Sequence, residues 1–166
     1  MCKTSILVDL TGLVSSDGIG DIIGNEDAAT AHIGQITAAR SGTIIGGRIT
    51  CFEAPAGGDD DIDLYAADES TGTEDAGIGA LTETQLDDSG NHAAGTVKIL
   101  EAFPTDGQYL YLVHQQNDAD TAYTAGILLI ELFEVTLQTI AVTFSLYGLI
   151  RKKVKVSSDT GLLVET

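Results

Sequence analysis

Apolar and polar residues alternate with a period of two along much of the chain, and no window sustains the 3.6-residue period of an amphipathic helix. The clearest stretch runs from Gln108 to Phe133. Its first arm puts Leu110 and Leu112 on one side of a pleat and Tyr109, Tyr111 and Val113 on the other, because successive strand side chains point to opposite faces. Its second arm sets Leu128, Ile130 and Leu132 against Tyr123, Ala125, Ile127, Leu129 and Glu131. The intervening NDADTA is rich in residues that bond their own backbone in turns. The stretch therefore predicts one long β-hairpin in the middle of a sheet.

The same alternation predicts further strands. Ile6, Val8 and Leu10 mark a first one, residues 33–39 a second, and residues 43–54 a longer one with Ile45, Ile49 and Cys51 facing the core and Arg48 and Thr50 outward. Gly46 and Gly47 within it predict a bulge or a close backbone approach. Ile62, Leu64 and Ala66 alternate with Asp63 and Tyr65, and residues 96–103 form a strand before the turn Pro104-Thr105-Asp106-Gly107. Residues 11–26 predict an extended arm or long loop. Residues 68–95 predict a long crossing with one short strand, anchored by Ile78, Leu81 and Leu86. About eight strands with long crossings predict an all-β fold, a jelly-roll-like antiparallel β-sandwich.

A chain of 166 residues fits one domain able to bury its own core. The net charge of -17 excludes nucleic acid as a partner, since phosphate binding needs clustered Lys and Arg. Residues 1–133 hold 22 of the 25 acids and only 4 of the 8 bases, whereas Arg151, Lys152, Lys153 and Lys155 cluster near the end. This shift divides the chain into a body, 1–133, and a C-terminal extension, 134–166. The uncharged run from Val135 to Ile150 has 16 residues, against the ~20 of a spanning helix. Ile140, Val142, Phe144 and Leu146 alternate within it, so an extra strand or interface arm is expected and no membrane anchor. The N-terminus lacks a secretory pattern, so folding is expected to begin in a cytoplasm with Cys2 and Cys51 reduced.

Candidate chemistry is sparse. Asp59, Asp61 and Asp63 have the alternate spacing of a calcium loop, but Leu64 stands where Gly is required and Ser70 where a bidentate acid is required, so a solvated acidic turn is expected. The glycines from Gly18 to Gly24 lack the spacing and the βαβ setting of a dinucleotide loop. His32, His92 and His114 share no metal-ligand spacing, His114 reads as a surface or interface imidazole, and no nucleophile elbow is present. No catalytic residue, cofactor or metal is expected. Tyr65, Tyr109, Tyr111 and Tyr123 read as exposed, either lining a sugar-binding face or supplying amphipathic area to a subunit contact; the lack of Trp favours the contact.

The tract IDLYAADESTGTEDAGIGALTETQL, the strand VKILEAFP and the closing QYLYLVHQQNDADTAYTAGILLIELF resemble a family of small virion proteins of tailed, mostly marine bacteriophages, encoded close to the major capsid protein. The resemblance covers most of residues 1–133. It implies a non-enzymatic head decoration (cement) protein, made in the host cytoplasm and carried on the capsid surface. Its implied partners are the major capsid protein and further copies of itself, as a trimer. The sequence departs from the pattern after Phe133, where relatives stop within a few residues, so residues 134–166 are either a real extension or read-through past a stop. A carbohydrate-binding β-sandwich on a virion or cell surface is the alternative expectation.

Overall fold

The computed structural model describes residues 2–15, 18–26, 29–88, 90–116, 121–135, 153–157 and 161–165. In chain order the elements are β1 (Cys2–Asp9), β2 (Val14–Ser15), β3 (Gly34–Gln35), α1 (Ala38–Ser41), β4 (Thr43–Ala56), β5 (Ile62–Ala67), β6 (Glu83–Gln85), β7 (Val97–Ile99), β8 (Tyr109–His114), β9 (Thr121–Ala122), β10 (Ala125–Val135), β11 (Lys153–Ser157) and β12 (Gly161–Glu165). Eight strands form two antiparallel sheets, sheet I in the order β1-β10-β4-β7 and sheet II in the order β3-β8-β5-β6. Counted in chain order among those eight, the sheets read 1-8-3-6 and 2-7-4-5. First pairs with last, second with seventh, third with sixth and fourth with fifth. The chain is thus one antiparallel ribbon rolled around a core, which is the jelly-roll architecture. Among the described residues no helix is long and apolar enough to cross a membrane.

The period-two pattern supplies the core. Val8, Leu10, Ile49, Cys51, Leu128, Ile130 and Leu132 of sheet I meet Ile62, Leu64, Ala66, Leu110 and Leu112 of sheet II in one buried cluster. A second cluster lies on the back of sheet II, where Ile22, Ala31, Ile78 and Leu81 cover Tyr65, Tyr111 and Val113. The run 18–26 is therefore no free arm. Ile22 and Ile23 are buried, Ile23 N–H donates to the Leu112 carbonyl and His114 N–H to the Asp21 carbonyl, so the run extends the edge of sheet II.

β8 and β10 are not a hairpin: they lie in opposite sheets and face each other across the core. A period-two pattern specifies which face is apolar but not which strand is the neighbour. Gln115 and Gln116 begin the crossing with N–H bonds to Asp59 Oδ2 (3.1 and 2.6 Å), and Tyr123 ends it with its hydroxyl on the Asp59 carbonyl (2.9 Å). The two sheets are thus spanned by an arch held on one aspartate.

β4 departs from simple alternation. A register shift opposite Phe133 and Glu134 buries Ile44 and turns Ile45 outward, reversing the expected facing of Ile45, while Ile49 and Cys51 face inward. Gly47 permits a close approach: a Cβ there would stand 2.5 Å from Leu100 Cδ1. The strand expected over 33–39 is only Gly34–Gln35, followed by the single turn α1.

β10 continues past Phe133 to Val135, and Glu134 is buried and accepts the Thr4 hydroxyl. β11 and β12 pair antiparallel within the extension, with Val154 opposite Val164 and Val156 opposite Leu162. The expected strand over 140–146 lies outside the described residues.

Candidate interaction surface

The two sheets differ on their outer sides. Loops cover the back of sheet II, but among the described residues no second cluster covers the back of sheet I. Registers align Leu7, Leu129, Thr50 and Val97 in one outward row, Ser5, Glu131, Arg48 and Ile99 in the next, and Lys3, Phe133 and Gly46 in a third. Leu7, Val97 and Ile99, together with Phe52 at a register shift of β4, are 51–66% exposed. These apolar side chains share one outward surface with Thr50 and Arg48, and no facing was expected of Phe52, Val97 and Ile99 from the sequence. The available signal was that β10 carries apolar residues on its outward as well as its inward positions, and that Val97 and Ile99 flank Lys98 in β7.

At the centre of this face sits Glu131. Arg48 Nε and Nη2 lie 2.5 Å from its Oε2, and Lys3 Nζ bonds its Oε1. Hydrogen bonds from Lys3 first, then Arg48, hold its carboxyl below the usual carboxylate range. The two bases shade the carboxylate while staying about half exposed themselves, so the triad is a shallow surface feature whose attraction water weakens. Arg48 Cζ also stands 6.0 Å from the Phe133 ring centroid, and that ring lies against Gly46, where a Cβ would be 3.3 Å from Phe133 Cδ2. Two of the four bases of the acidic body are thereby gathered on one acid within an apolar face, which leaves the triad at +1.

The tyrosines expected to be exposed are not. Tyr65, Tyr111 and Tyr123 are buried and Tyr109 is half-buried. Tyr111 donates its hydroxyl to the Glu69 carbonyl (2.9 Å) and accepts Gly72 N–H (3.3 Å), Tyr65 accepts from Gln115 Nε2 (3.4 Å), and Tyr109 stacks at a tilt on His32 with centroids 4.9 Å apart. Loops folded over sheet II claim the rings of Tyr65, Tyr109 and Tyr111, the core between the sheets claims that of Tyr123, and internal partners claim the hydroxyls of Tyr65, Tyr111 and Tyr123. An amphipathic ring suits a loop-covered sheet as well as it suits a subunit contact.

The acidic turn is likewise not simply solvated. Asp59 is fully buried and accepts Asp61 N–H (2.8 Å) in addition to the two arch amides. Asp63 is fully buried on the back of β5. Burial raises its carboxyl to about 7 against a 2.7 Å hydrogen bond from Gln85 Nε2 that favours the charge, with Asp61, Asp88 and Asp87 adding to the rise. His114, expected at the surface, is completely buried, with Nδ1 donating to the Gln116 carbonyl (3.0 Å) and 3.6 Å from Asp59 Oδ2. His92 donates Nε2–H to the Ile62 carbonyl (2.8 Å), and burial lowers its pKa, disfavouring the charged ring. These groups fasten loops to strands. Among the described residues no group of three or more His, Cys, Asp or Glu side chains is placed to hold a metal ion.

Compared with protein-family models, with curated proteins and with solved structures, the chain finds no match.

Proposed function

We propose that the chain is a non-enzymatic structural protein of a tailed-phage virion, decorating the head and holding neighbouring major capsid protein subunits together through the outer face of sheet I. The resemblance of residues 62–133 to phage head proteins suggests the partner. The observation that carries the proposal is the apolar face of Leu7, Phe52, Val97 and Ile99, uncovered among the described residues, around a Glu131 paired with Lys3 and Arg48. Extended apolar patches on a monomer surface mark interaction sites. The rest of the body is strongly acidic, so free copies repel one another except where this face can approach. On a capsid lattice one modest contact repeats at equivalent positions, so each contact can be weak and the clamp still firm. Homo-oligomerisation on the head belongs to the same proposal. A sugar-binding role has lost its supporting feature, because Tyr65, Tyr111 and Tyr123 are internal.

Co-sedimentation with heads of the encoding phage, assembled without this protein, tests the proposal. Wild type is expected to sediment with the heads, and the pair Val97→Gln and Ile99→Gln, both on exposed side chains of the edge strand β7, is expected to stay in the supernatant. Wild type that fails to bind, or a double variant that binds equally well, overturns it.

A further inference from the structure

The four sandwich edges are unequal. β3, β6 and β7 are two or three residues long, whereas β1 runs for eight. Short edges limit unwanted pairing, and a long one is a template for another strand. The phase of β1 is fixed by the bond from Leu10 N–H to the Gly126 carbonyl, which continues the register pairing Val8 with Leu128 and Ile6 with Ile130. Backbone groups alternate along an antiparallel strand, so Thr4, Ile6 and Val8 bond β10, while the N–H and C=O groups of Lys3, Ser5, Leu7 and Asp9 point to the open side.

We propose that this edge pairs with the same edge of a second copy, antiparallel about a two-fold axis at Ile6, joining the two copies of sheet I into one eight-stranded sheet. Only open-side residues can exchange backbone bonds, so the allowed registers move in steps of two. The register centred on Ile6 sets Ser5 opposite Leu7 and Lys3 opposite Asp9, in both directions. It is the register that matches opposite charges at both ends of the ladder; centring on Ser5 or Leu7 pairs neither charge with its opposite. On the inner side, the Ile6 side chain of the second copy would enter a groove of about 370 Å³ lined by Thr4, Ile6, Ile33, Ile36, Arg40 and Ser41. On the outer side the two Leu7 residues become neighbours, so the two apolar faces merge. This contact is two-fold, unlike the trimer that the family resemblance implies, and it does not depend on capsid binding.

Light scattering and sedimentation on the full chain, with hydrogen exchange of individual amides, test the pairing. The expected result is a two-chain mass that dissociates on dilution, with the Lys3, Ser5, Leu7 and Asp9 amides slow in the concentrated sample and fast in the dilute one, while the Val8 and Leu10 amides stay slow in both. Ser5→Pro removes an open-side N–H, a substitution an edge strand tolerates, and is expected to abolish the two-chain species without lowering the melting temperature of the dilute, monomeric protein. The exchange measurement on wild type stands even if that variant misfolds. A monomer at every concentration, a three-chain mass, or a dimer whose open-side amides exchange fast overturns the proposal. So does concentration-independent protection of those amides in a monomer, which would place another segment of the same chain on the edge.

Discussion

Asp63→Asn should stabilise the protein above neutral pH and do progressively less as the pH falls. The carboxylate is fully buried on a central strand, its Oδ2 takes one hydrogen bond from Gln85, and its Oδ1 has no hydrogen-bond partner among the described residues. Burial raises its pKa from 3.8 to about 7, so between those values the folded chain holds a proton that the unfolded chain releases. The contribution of Asp63 to stability is therefore whole below pH 3.8, declines as pH rises, and is lost above about 7. At 1.36 kcal/mol per pKa unit, the ionised group costs up to about 4 kcal/mol at pH 8. Asn can still accept from Gln85 and carries no charge. Its unmatched amide N–H costs about 1–3 kcal/mol, an offset that does not vary with pH. Urea unfolding followed by circular dichroism from pH 4 to 8 gives the stability difference at each pH. A difference that grows toward pH 7 is expected; one that is flat, or largest at pH 4, would refute the assignment of a buried, raised carboxyl.

Gly126→Ala should lower stability by about 1–3 kcal/mol in the same assay, since the position has φ +137 and a Cβ would stand 2.7 Å from Leu10 Cδ1 and 3.1 Å from Pro55 Cα. Asp59→Ala should lower it by about 3 kcal/mol or more, because three backbone N–H groups lose a charged acceptor inside the arch; a loss below 1 kcal/mol would mean that water replaces it. Millimolar calcium should leave the melting temperature unchanged, as the Asp59 oxygens are already engaged by backbone. Truncation after Val135 should leave a folded sandwich by circular dichroism, since among the described residues the core cluster draws on none beyond Leu132; loss of cooperative melting would contradict that.

The facing of side chains was legible in the sequence because alternation is a local property. Leu110 with Leu112, Leu128 with Ile130 and Leu132, and Ile49 with Cys51 all turn inward as their spacing requires. Partner choice was not legible. The ribbon doubles back between β5 and β6, where Glu69 takes both the N–H and the hydroxyl of Thr82, so strands near the two ends of the body become neighbours. A reading of consecutive apolar runs joins β8 to β10 instead. Ile45 was misplaced by one register shift, and Asp59, Asp63 and His114 were misplaced because a sequence shows a polar residue but not the buried partner that accommodates it.

The least legible feature was the candidate surface, and the reason is physical. A strand apolar on both sides is read as buried on both sides, and that holds only if the fold supplies two covers. The jelly roll supplies one cover for sheet I, from sheet II, and spends its long loops on the back of sheet II, where Ile22, Ile78 and Leu81 seal Tyr111 and Val113. The outward residues of β10 and β7 keep the composition of a core without a core to join. Their Lys3–Glu131–Arg48 triad keeps the net charge of the patch low on a body that is otherwise acidic. Among the described residues nothing supplies the second cover; under the proposed function a capsid surface does, and a broad apolar sheet suits a protein surface better than a small ligand.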